Sequence, residues 1–318
     1  MPLKVVVFVT LPEQAHVYRN VISSGQPDIN LVTVLSLDEL DKEIHDTDIL
    51  LAFGAALRRR PDLLAKGQRL KWVAALGTGL DGITDAPTLG PDVLITATRG
   101  IHGVPMSEMA FMVMLGLARD FPRVVHQQDE AAYKRWTPTL LDGKTIGILG
   151  VGLIAEALAP RCAAFGMNVV GISRTKRPLP GFHRMHDRSE LLGIVGEFDY
   201  FVLLIPLDEE TRGMVDSRII AAMKPTSCLV NLARGEVVDE DALMAALREG
   251  RIAGAALDTF HQEPLPPDSP WWRMPNVIVT PHIAGTYDRY AEDAARQFLG
   301  NLGHFLAGKP DLMQNRER

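Results

Sequence analysis

Short apolar runs alternate with helix-like or loop-like stretches through the first third of the chain. The runs cover residues 5–9, 31–35, 49–52, 72–76 and 93–95. Continuous apolar runs between helical patterns are typical of strands that are buried on both faces of a parallel sheet. The pattern therefore predicts an α/β domain in which helices cover a parallel sheet.

A second series of apolar runs begins after residue 119 and predicts a second α/β domain. The runs cover residues 146–149, 169–172, 200–205, 228–231, 255–257 and 277–280. A helix-like segment lies beyond the last of these strands, and we expect it to cross back and complete the first domain. The first domain is then discontinuous, with residues 1–98 and 288–318, and the second domain contains residues 99–287.

Residues 107–119 are apolar almost all round, which predicts a buried helix between domains or between subunits. Ser107 is of the residue type that commonly caps a helix N-terminus. Core packing explains the methionines of this segment better than a partner-binding surface does. We nevertheless expect a homodimer that forms through the 107–119 region.

The composition limits the classes of partner. The chain has 318 residues, of which 47% are hydrophobic and 23% are charged, and this is enough for two domains that each bury a core. A net charge of −6 argues against nucleic acid or an anionic membrane as the main partner. Cys162 and Cys228 lack metal-ligand spacing, so we expect reduced core cysteines in a cytoplasmic protein without a metal site.

A glycine-rich turn follows the first strand of the second domain. It has the form Gly150-x-Gly152-x-x-Ala155, and another strand is predicted about 20 residues further on. Such a turn is tight, lets the backbone approach a pyrophosphate, and packs the helix closely against the strand. Free N–H groups near Leu153 and Ile154, at the helix N-terminus, attract the anion. The motif predicts a dinucleotide cofactor and Rossmann-like domains.

The residues after the next strand bear on which dinucleotide binds. An acid usually holds the ribose 2′-hydroxyl at this place, but the chain has Ser173-Arg174-Thr175, followed by Lys176 and Arg177. Hydroxyls with a guanidinium accommodate a 2′-phosphate, and the two further cations strengthen the positive field. We expect NADP(H) to be preferred. NAD stays the alternative if these side chains are only solvated loop cations.

Three polar residues each follow a predicted strand of the second domain, where open α/β sheets bind ligands. They are Arg234, Glu263 and His282. Each alone has an ordinary structural explanation, as a surface cation, a turn residue before a proline, or a hydrogen-bonded structural histidine. Their placement after neighbouring strands favours a shared site.

The motifs around these residues resemble those of the D-isomer-specific 2-hydroxyacid dehydrogenase family, and of its glyoxylate and hydroxypyruvate reductases, over essentially the whole chain. The matching motifs are the glycine fingerprint, Ile205-Pro206-Leu207 with Thr211, residues 231–235, Leu257-Asp258 with Glu263-Pro264, and residues 281–285. The resemblance implies that Arg234 binds the substrate carboxylate and polarises its carbonyl. It also implies that His282 is the acid/base and that Glu263 orients it.

The chemistry of reducing a 2-keto acid suits these residue types. Histidine can deliver the proton because its ordinary pKa of about 6.5 is close to working pH. A neighbouring carboxylate favours the imidazolium, so Glu263 is expected to raise the pKa of His282. Arginine suits the substrate carboxylate because its planar fork can donate two parallel hydrogen bonds.

The resemblance also assigns residues to the cofactor. Asp258 is expected to bind the nicotinamide carboxamide, with the backbone of Ala233 beside it. Ile205 and Pro206 are expected to contact the ribose side, and Thr211 belongs to the same motif. Pro206 has an alternative explanation as a proline that ends a strand.

The first domain is expected to supply the other wall of a substrate cleft. A glycine turn after its fourth strand exposes amides that can bind an anion, and it looks like the carboxylate-binding loop of the family. Thr78 and Gly79 are the predicted donors, and Phe53 and Gly54 are expected to shape the pocket.

These features predict NADPH-dependent reduction of a small 2-keto acid, such as glyoxylate or hydroxypyruvate, to the D-2-hydroxy acid. One alternative is an NAD-dependent D-2-hydroxyacid dehydrogenase, including one with a phosphoglycerate-type substrate. Another is a dinucleotide-sensing binding protein, because relatives of this fold serve as transcriptional corepressors. An intact set of Arg234, Glu263 and His282 argues against that last alternative.

Overall fold

The computed structural model describes residues 2–86 and 89–318. The chain forms two compact units, one made by the chain up to Ile101 together with Tyr287–Arg318, and the other by His102–Thr286. The sequence pattern puts the two domain boundaries after residues 98 and 287, and the binding role of each unit stays a prediction.

Strands and α-helices follow one another along the described ranges, mostly in alternation. The strands are β1 (Lys4–Phe8), β2 (Asn30–Val34), β3 (Ile49–Ala52), β4 (Trp72–Ala75), β5 (Leu94–Ala97), β6 (Thr145–Leu149), β7 (Asn168–Ser173), β8 (Arg184–Asp187), β9 (Tyr200–Leu203), β10 (Cys228–Asn231), β11 (Gly254–Leu257) and β12 (Val277–Val279). The α-helices are α1 (Pro12–Gly25), α2 (Leu37–Glu43), α3 (Gly54–Leu57), α4 (Leu63–Lys66), α5 (Gly103–Arg119), α6 (Phe121–Asp129), α7 (Leu153–Ala164), α8 (Leu191–Ile194), α9 (Ser217–Ala222), α10 (Glu240–Arg248) and α11 (Tyr290–Leu306).

The first unit is built on a parallel sheet with the order β2-β1-β3-β4-β5. Every residue of β1, β3 and β4 is buried, as expected for strands covered on both faces. Helices α1 and α11 pack on one face, where Trp72 stacks on Phe298 with ring centroids 5.0 Å apart. The C-terminal helix thus completes the first unit, as the sequence predicts.

The C-terminal residues add an antiparallel segment to the exposed edge of β5. The amide of Ile95 donates to the carbonyl of Arg318 at 3.1 Å, and that of Ala97 donates to Asn315 at 3.0 Å. The amide of Glu317 donates back to Ile95 at 2.9 Å. These bonds cover the backbone of an edge strand that would otherwise be open to pairing with another chain.

The second unit contains a seven-stranded sheet, also entirely parallel, with the order β12-β11-β10-β9-β6-β7-β8. The strand order reverses at β6, which lies between β7 and β9. Ligands of such sheets bind outside the carboxyl ends of the strands at this switch point. The prediction of two Rossmann-like α/β domains with parallel sheets is confirmed.

The sequence pattern does not predict β8. Its residues, Arg184–Asp187, read Arg-Met-His-Asp and are all at least partly exposed. β8 lies at the edge of the sheet beside β7, so it does not need the continuous apolar run of a central strand.

The prediction that Ser107 caps a helix is wrong. Helix α5 begins at Gly103, with His102 in the N-cap position. Ser107 lies one turn inside, fully buried, and its hydroxyl donates to the carbonyl of Gly103 at 2.6 Å, a bond that serine often makes within helices. The helix is not buried on all sides either, because Met112 and Leu115 are 51% and 37% exposed whereas Val113 and Met114 are buried.

Both cysteines lie in the core of the second unit and are free. Burial raises the pKa of each thiol, Cys162 and Cys228, to about 12, so both stay protonated at neutral pH. In the ranges that the structure describes, no helix is long and apolar enough to cross a membrane. The same ranges contain no cluster of three or more His, Cys, Asp or Glu side chains arranged to hold a metal ion.

Candidate active site

The turn after β6 requires glycine at its first position. Gly150 has φ +97°, a conformation that other residues rarely adopt, and a Cβ there would lie 2.6 Å from the amide nitrogen of Ile205. Ile205 is itself buried. The backbone after β6 therefore passes directly against the backbone after β9, at the switch point of the sheet.

Helix α7 begins directly after this turn, with Gly152 in the N-cap position and Leu153 as its first residue. A Cβ on Gly152 would meet no atom of the described chain within 4 Å, so the space beside it is open. Ala155, in contrast, is completely buried against the sheet. An open cradle at the N–H groups of Leu153 and Ile154 fits a dinucleotide pyrophosphate.

The cations after β7 are each paired with a carboxylate. The hydroxyl of Ser173 donates to the carbonyl of Thr175 at 2.7 Å. Arg174 lies 2.5 Å from the carboxylate of Glu210. The ion-pair distances of the next two cations are both 2.9 Å, from Lys176 to Glu190 and from Arg177 to Glu156. The expectation that these two cations strengthen a free positive field is wrong, because acids neutralise both.

The loop after β9 is held by Thr211. Its side chain is fully buried, and its hydroxyl donates to the carbonyl of Pro206 at 2.8 Å and accepts from the amide of Asp208 at 2.7 Å. Pro206 is exposed beside this loop. Thr211 therefore shapes the loop that carries Pro206, and a direct contact of either residue with a cofactor stays a prediction.

His282 and Glu263 form a hydrogen-bonded pair. The imidazole Nδ1 lies 2.7 Å from Oε2 of Glu263, and Oε1 of Glu263 accepts the amide of Phe260 at 3.0 Å. Burial opposes ionisation of Glu263, but the bond and charge of His282, the Phe260 amide and the charge of Arg234 together lower its pKa. A carboxylate fixed in this way orients the imidazole and leaves Nε2 for proton transfer.

Two loops of the site pack backbone against backbone. A Cβ on Gly235, directly after Arg234, would lie 2.1 Å from the carbonyl carbon of Phe260, so only glycine fits. Asn231, the last residue of β10, holds the loop from the other side. Its side chain accepts the amide of Ala233 at 3.0 Å and donates to the carbonyl of Arg234 at 2.9 Å. The arginine loop is thereby tied to the loop that leads to Glu263.

Asp258 holds the loop that carries the histidine. It is 1% exposed, and its Oδ1 accepts the hydroxyl of Thr280 at 2.6 Å and the amide of Ile283 at 2.9 Å. Its Oδ2 accepts the amide of Ala284 at 2.9 Å. Both oxygens are therefore engaged on either side of His282. Sequence reasoning missed this role, as it missed that of Asn231, and the contact of Asp258 with a carboxamide stays a prediction.

The substrate residues predicted in the first unit lie in two adjacent loops of that unit. Phe53 precedes α3 and stacks on Tyr290 at 6.0 Å. A Cβ on Gly54 would lie 2.3 Å from the carbonyl oxygen of Asp81, so the start of α3 packs against the loop that carries Thr78 and Gly79. That loop is bonded to the residue directly after β5, because the Thr78 hydroxyl donates to the carbonyl of Thr98 at 3.3 Å.

Comparison with known proteins agrees with this geometry. Residues 111–284 match the family model described as D-isomer specific 2-hydroxyacid dehydrogenase, NAD binding domain. The chain is 32% identical over 317 residues to a glyoxylate reductase of Thermococcus gammatolerans, covering 96% of this chain and 89% of that protein. It is 31% identical over 305 residues to a D-3-phosphoglycerate dehydrogenase of Methanocaldococcus jannaschii, covering 91% of this chain but only 57% of that protein.

A solved structure extends the likeness to the whole fold. It is an NADPH-dependent glyoxylate/hydroxypyruvate reductase from Sinorhizobium meliloti in complex with NADP and sulfate. The two structures superpose with a TM-score of 0.84 at 26% identity, covering 99% of this chain and 98% of the other. The family match includes the glycine turn and the histidine loop. The chain therefore belongs to the D-isomer-specific 2-hydroxyacid dehydrogenase family of NAD(P)-dependent oxidoreductases.

Proposed function

We propose that the protein catalyses the NADPH-dependent reduction of a small 2-keto acid, such as glyoxylate or hydroxypyruvate, to the corresponding D-2-hydroxy acid. The observation that carries this proposal is the bond of 2.7 Å between Nδ1 of His282 and Glu263. Arg234 is close enough to this pair for its charge to lower the pKa of Glu263. A proton donor and a fixed cation are what a 2-keto acid needs from the protein.

Each side chain has one task in this mechanism. The fork of Arg234 binds the substrate carboxylate and draws electron density from the adjacent carbonyl. Nε2 of the His282 imidazolium donates its proton to the carbonyl oxygen as negative charge develops there. Glu263 stabilises the imidazolium and fixes the ring through Nδ1. A nicotinamide dinucleotide held at the glycine turn would supply the hydride that the carbonyl carbon requires.

The proposed cofactor preference rests on the residues after β7. The position of the usual ribose-binding acid is Ser173, which is followed by the guanidinium of Arg174 and the hydroxyl of Thr175. The related reductase from Sinorhizobium meliloti is described as NADPH-dependent. NAD-linked dehydrogenation is the second candidate, and the ion pair between Arg174 and Glu210 favours it, because a paired guanidinium attracts a phosphate less strongly.

We also propose that the protein forms a homodimer through the 107–119 region of α5, and that the adjacent helix α6 extends this surface. No residue of α6 is buried, although Phe121 and Val125 are apolar and 56% and 43% exposed, and Met112 of α5 is 51% exposed. A second copy would cover this surface. Phe121→Asp combined with Val125→Asp should halve the mass measured by light scattering. The control Leu192→Asp, at an exposed leucine of α8, should leave the mass unchanged.

The reaction is tested with a panel of 2-keto acids, each assayed with NADPH and with NADH, on the wild type and on His282→Ala. The expected result is turnover of at least one small 2-keto acid, faster with NADPH. His282→Ala should lose about 10²–10⁴-fold in kcat, the usual contribution of a positioned acid, and bind NADPH as before. Equal or faster turnover with NADH would contradict the cofactor preference. Absence of turnover with every acid would contradict the enzymatic role.

A further inference from the structure

Two arginines lie at the same edge of the second sheet. Strands β7 and β8 run parallel, and Ser173 is paired in register with Asp187. The next residue in each strand's chain is an arginine, Arg174 after β7 and Arg188 after β8. Because carboxyl ends of parallel strands share one edge, both guanidinium groups emerge beside each other, at the ligand-binding edge of the sheet.

The two arginines share one carboxylate. Oε2 of Glu210 lies 2.5 Å from Nη2 of Arg174 and 3.7 Å from Nη1 of Arg188. A second acid, Asp208, lies 3.8 Å from Arg174. We call Arg174, Arg188, Asp208 and Glu210 the arginine cluster. Its formal charge is zero, and its one shared anion, Glu210, comes from the loop after β9.

Arg188 differs from the other arginines near the cofactor motif in its burial. Its side chain is 17% exposed, whereas that of Arg174 is 63% exposed. Nε and Nη1 of Arg188 are buried, and neither has a hydrogen-bond partner within residues 2–86 and 89–318. Buried charged donors without acceptors are costly, so their retention points to an anionic ligand that supplies the acceptors.

The two acids of the cluster differ in how they are held. Asp208 is fixed, since its Oδ1 accepts the amides of Glu210 and Thr211, both at 2.9 Å. The side chain of Glu210 is 67% exposed, and its contacts in the cluster are a charge-assisted hydrogen bond from Arg174 and an ion pair with Arg188. Exposed ion pairs contribute little to stability, so this carboxylate can leave the arginines at low cost.

We propose that Arg188 is a second guanidinium for the 2′-phosphate of NADP(H), and that Glu210 occupies the place of that phosphate until the cofactor binds. This inference rests on the NADPH preference proposed above. A 2′-phosphate carries between about 1.5 and 2 negative charges and several acceptor oxygens, so it can satisfy Arg174 and the buried donors of Arg188 together. Glu210 is then a competitor built into the site, and it sets how strongly the enzyme prefers NADP(H) to NAD(H).

The test is direct binding, which does not depend on turnover. Calorimetry compares 2′,5′-ADP, which carries one phosphate on the 2′ and one on the 5′ position, with 5′-AMP, which lacks only the 2′-phosphate. Arg188→Met should weaken binding of 2′,5′-ADP about tenfold, the effect of losing one charge-assisted hydrogen bond, and change binding of 5′-AMP by less than about twofold. Glu210→Gln should tighten 2′,5′-ADP several-fold. The control Arg184→Met, at the opposite end of β8 and paired with Glu197, should change neither ligand.

The outcomes separate this inference from the cofactor proposal. If Arg174→Met selectively weakens 2′,5′-ADP but Arg188→Met affects both ligands equally or neither, the inference about Arg188 is overturned and the NADPH preference stands. If Glu210→Gln leaves the binding of 2′,5′-ADP unchanged or makes it weaker, the competitor role of Glu210 is overturned, whatever the arginine variants show. If the wild type binds 5′-AMP as tightly as 2′,5′-ADP, the proposed NADPH preference itself fails.

Discussion

The buried carboxylate of Asp258 accepts the amide of Ile283, the residue directly after His282, at 2.9 Å. With the bonds from Thr280 and Ala284, it holds the histidine loop on both sides. The position of the proposed acid thus depends on a carboxylate that precedes it by 24 positions in the chain and follows a different strand. Positioning of this kind determines whether a proton donor meets its substrate in the right geometry.

Asp258→Asn should therefore lower kcat by about tenfold or more, because an amide group cannot accept all three hydrogen bonds and the histidine loop loses its fixed position. Steady-state kinetics separates this role from the predicted carboxamide contact. A positioning role lowers kcat with the KM for cofactor nearly unchanged, whereas loss of a cofactor contact raises that KM. Thr280→Val removes one donor to the same carboxylate and should give a smaller loss of the same kind.

Arg234→Lys should reduce kcat/KM for the keto acid by at least about tenfold. Lysine keeps the charge but cannot reproduce the planar fork that binds a carboxylate through two parallel bonds. Asn231 and the close approach of Gly235 to Phe260 hold the backbone at this position. The backbone should therefore not shift to bring a lysine ammonium to the place of the guanidinium. Retention of the wild-type kcat and KM would rule out bidentate binding by this residue.

His102 gives the stability of the second unit a pH dependence. It is 8% exposed, and burial lowers its pKa to about 4. The unfolded chain takes up this proton below its ordinary pKa of about 6.5, while the folded chain stays neutral. Above pH 6.5 the residue has no effect, and between about pH 6.5 and 4 stability is lost as the pH falls, by roughly 2–3 kcal/mol at pH 4.5.

Urea unfolding at pH 7 and pH 4.5 measures this effect. His102→Gln cannot be protonated and should lose less free energy of unfolding than the wild type when the pH is lowered. His16→Gln, at an exposed histidine of α1, serves as the control and should follow the wild type. If His102→Gln lost as much free energy of unfolding between pH 7 and pH 4.5 as the wild type, another group would cause the acid sensitivity.

The parts of the fold that the sequence predicts are those written in local patterns. The apolar runs of central strands and the glycine turn at Gly150 depend only on neighbouring residues, and the structure contains both. The sequence pattern does not predict β8, because an edge strand needs no apolar run. The pairing of Arg174 with Glu210 joins residues 36 positions apart, and the clamp on the His282 loop by Asp258 comes from another strand. Such contacts can be predicted only once the strand order is known.

The sequence pattern also does not predict that residues 315–318 pair with β5, since these residues are polar and have no strand-like alternation. We call them the tail. Removal of these residues should destabilise the first unit by about 2–4 kcal/mol. The reason is that three backbone bonds to Ile95 and Ala97 are lost, each contributing about 1 kcal/mol. Hydrogen exchange of the Ile95 and Ala97 amides should become faster in the shortened protein, and the melting temperature should fall.

The control for this prediction is Glu317→Gln, which keeps the backbone bonds. A loss of stability confined to the shortened protein assigns the effect to strand pairing rather than to the ion pair of Glu317 with Arg99. Unchanged exchange at both amides would mean that β5 is stable without the tail.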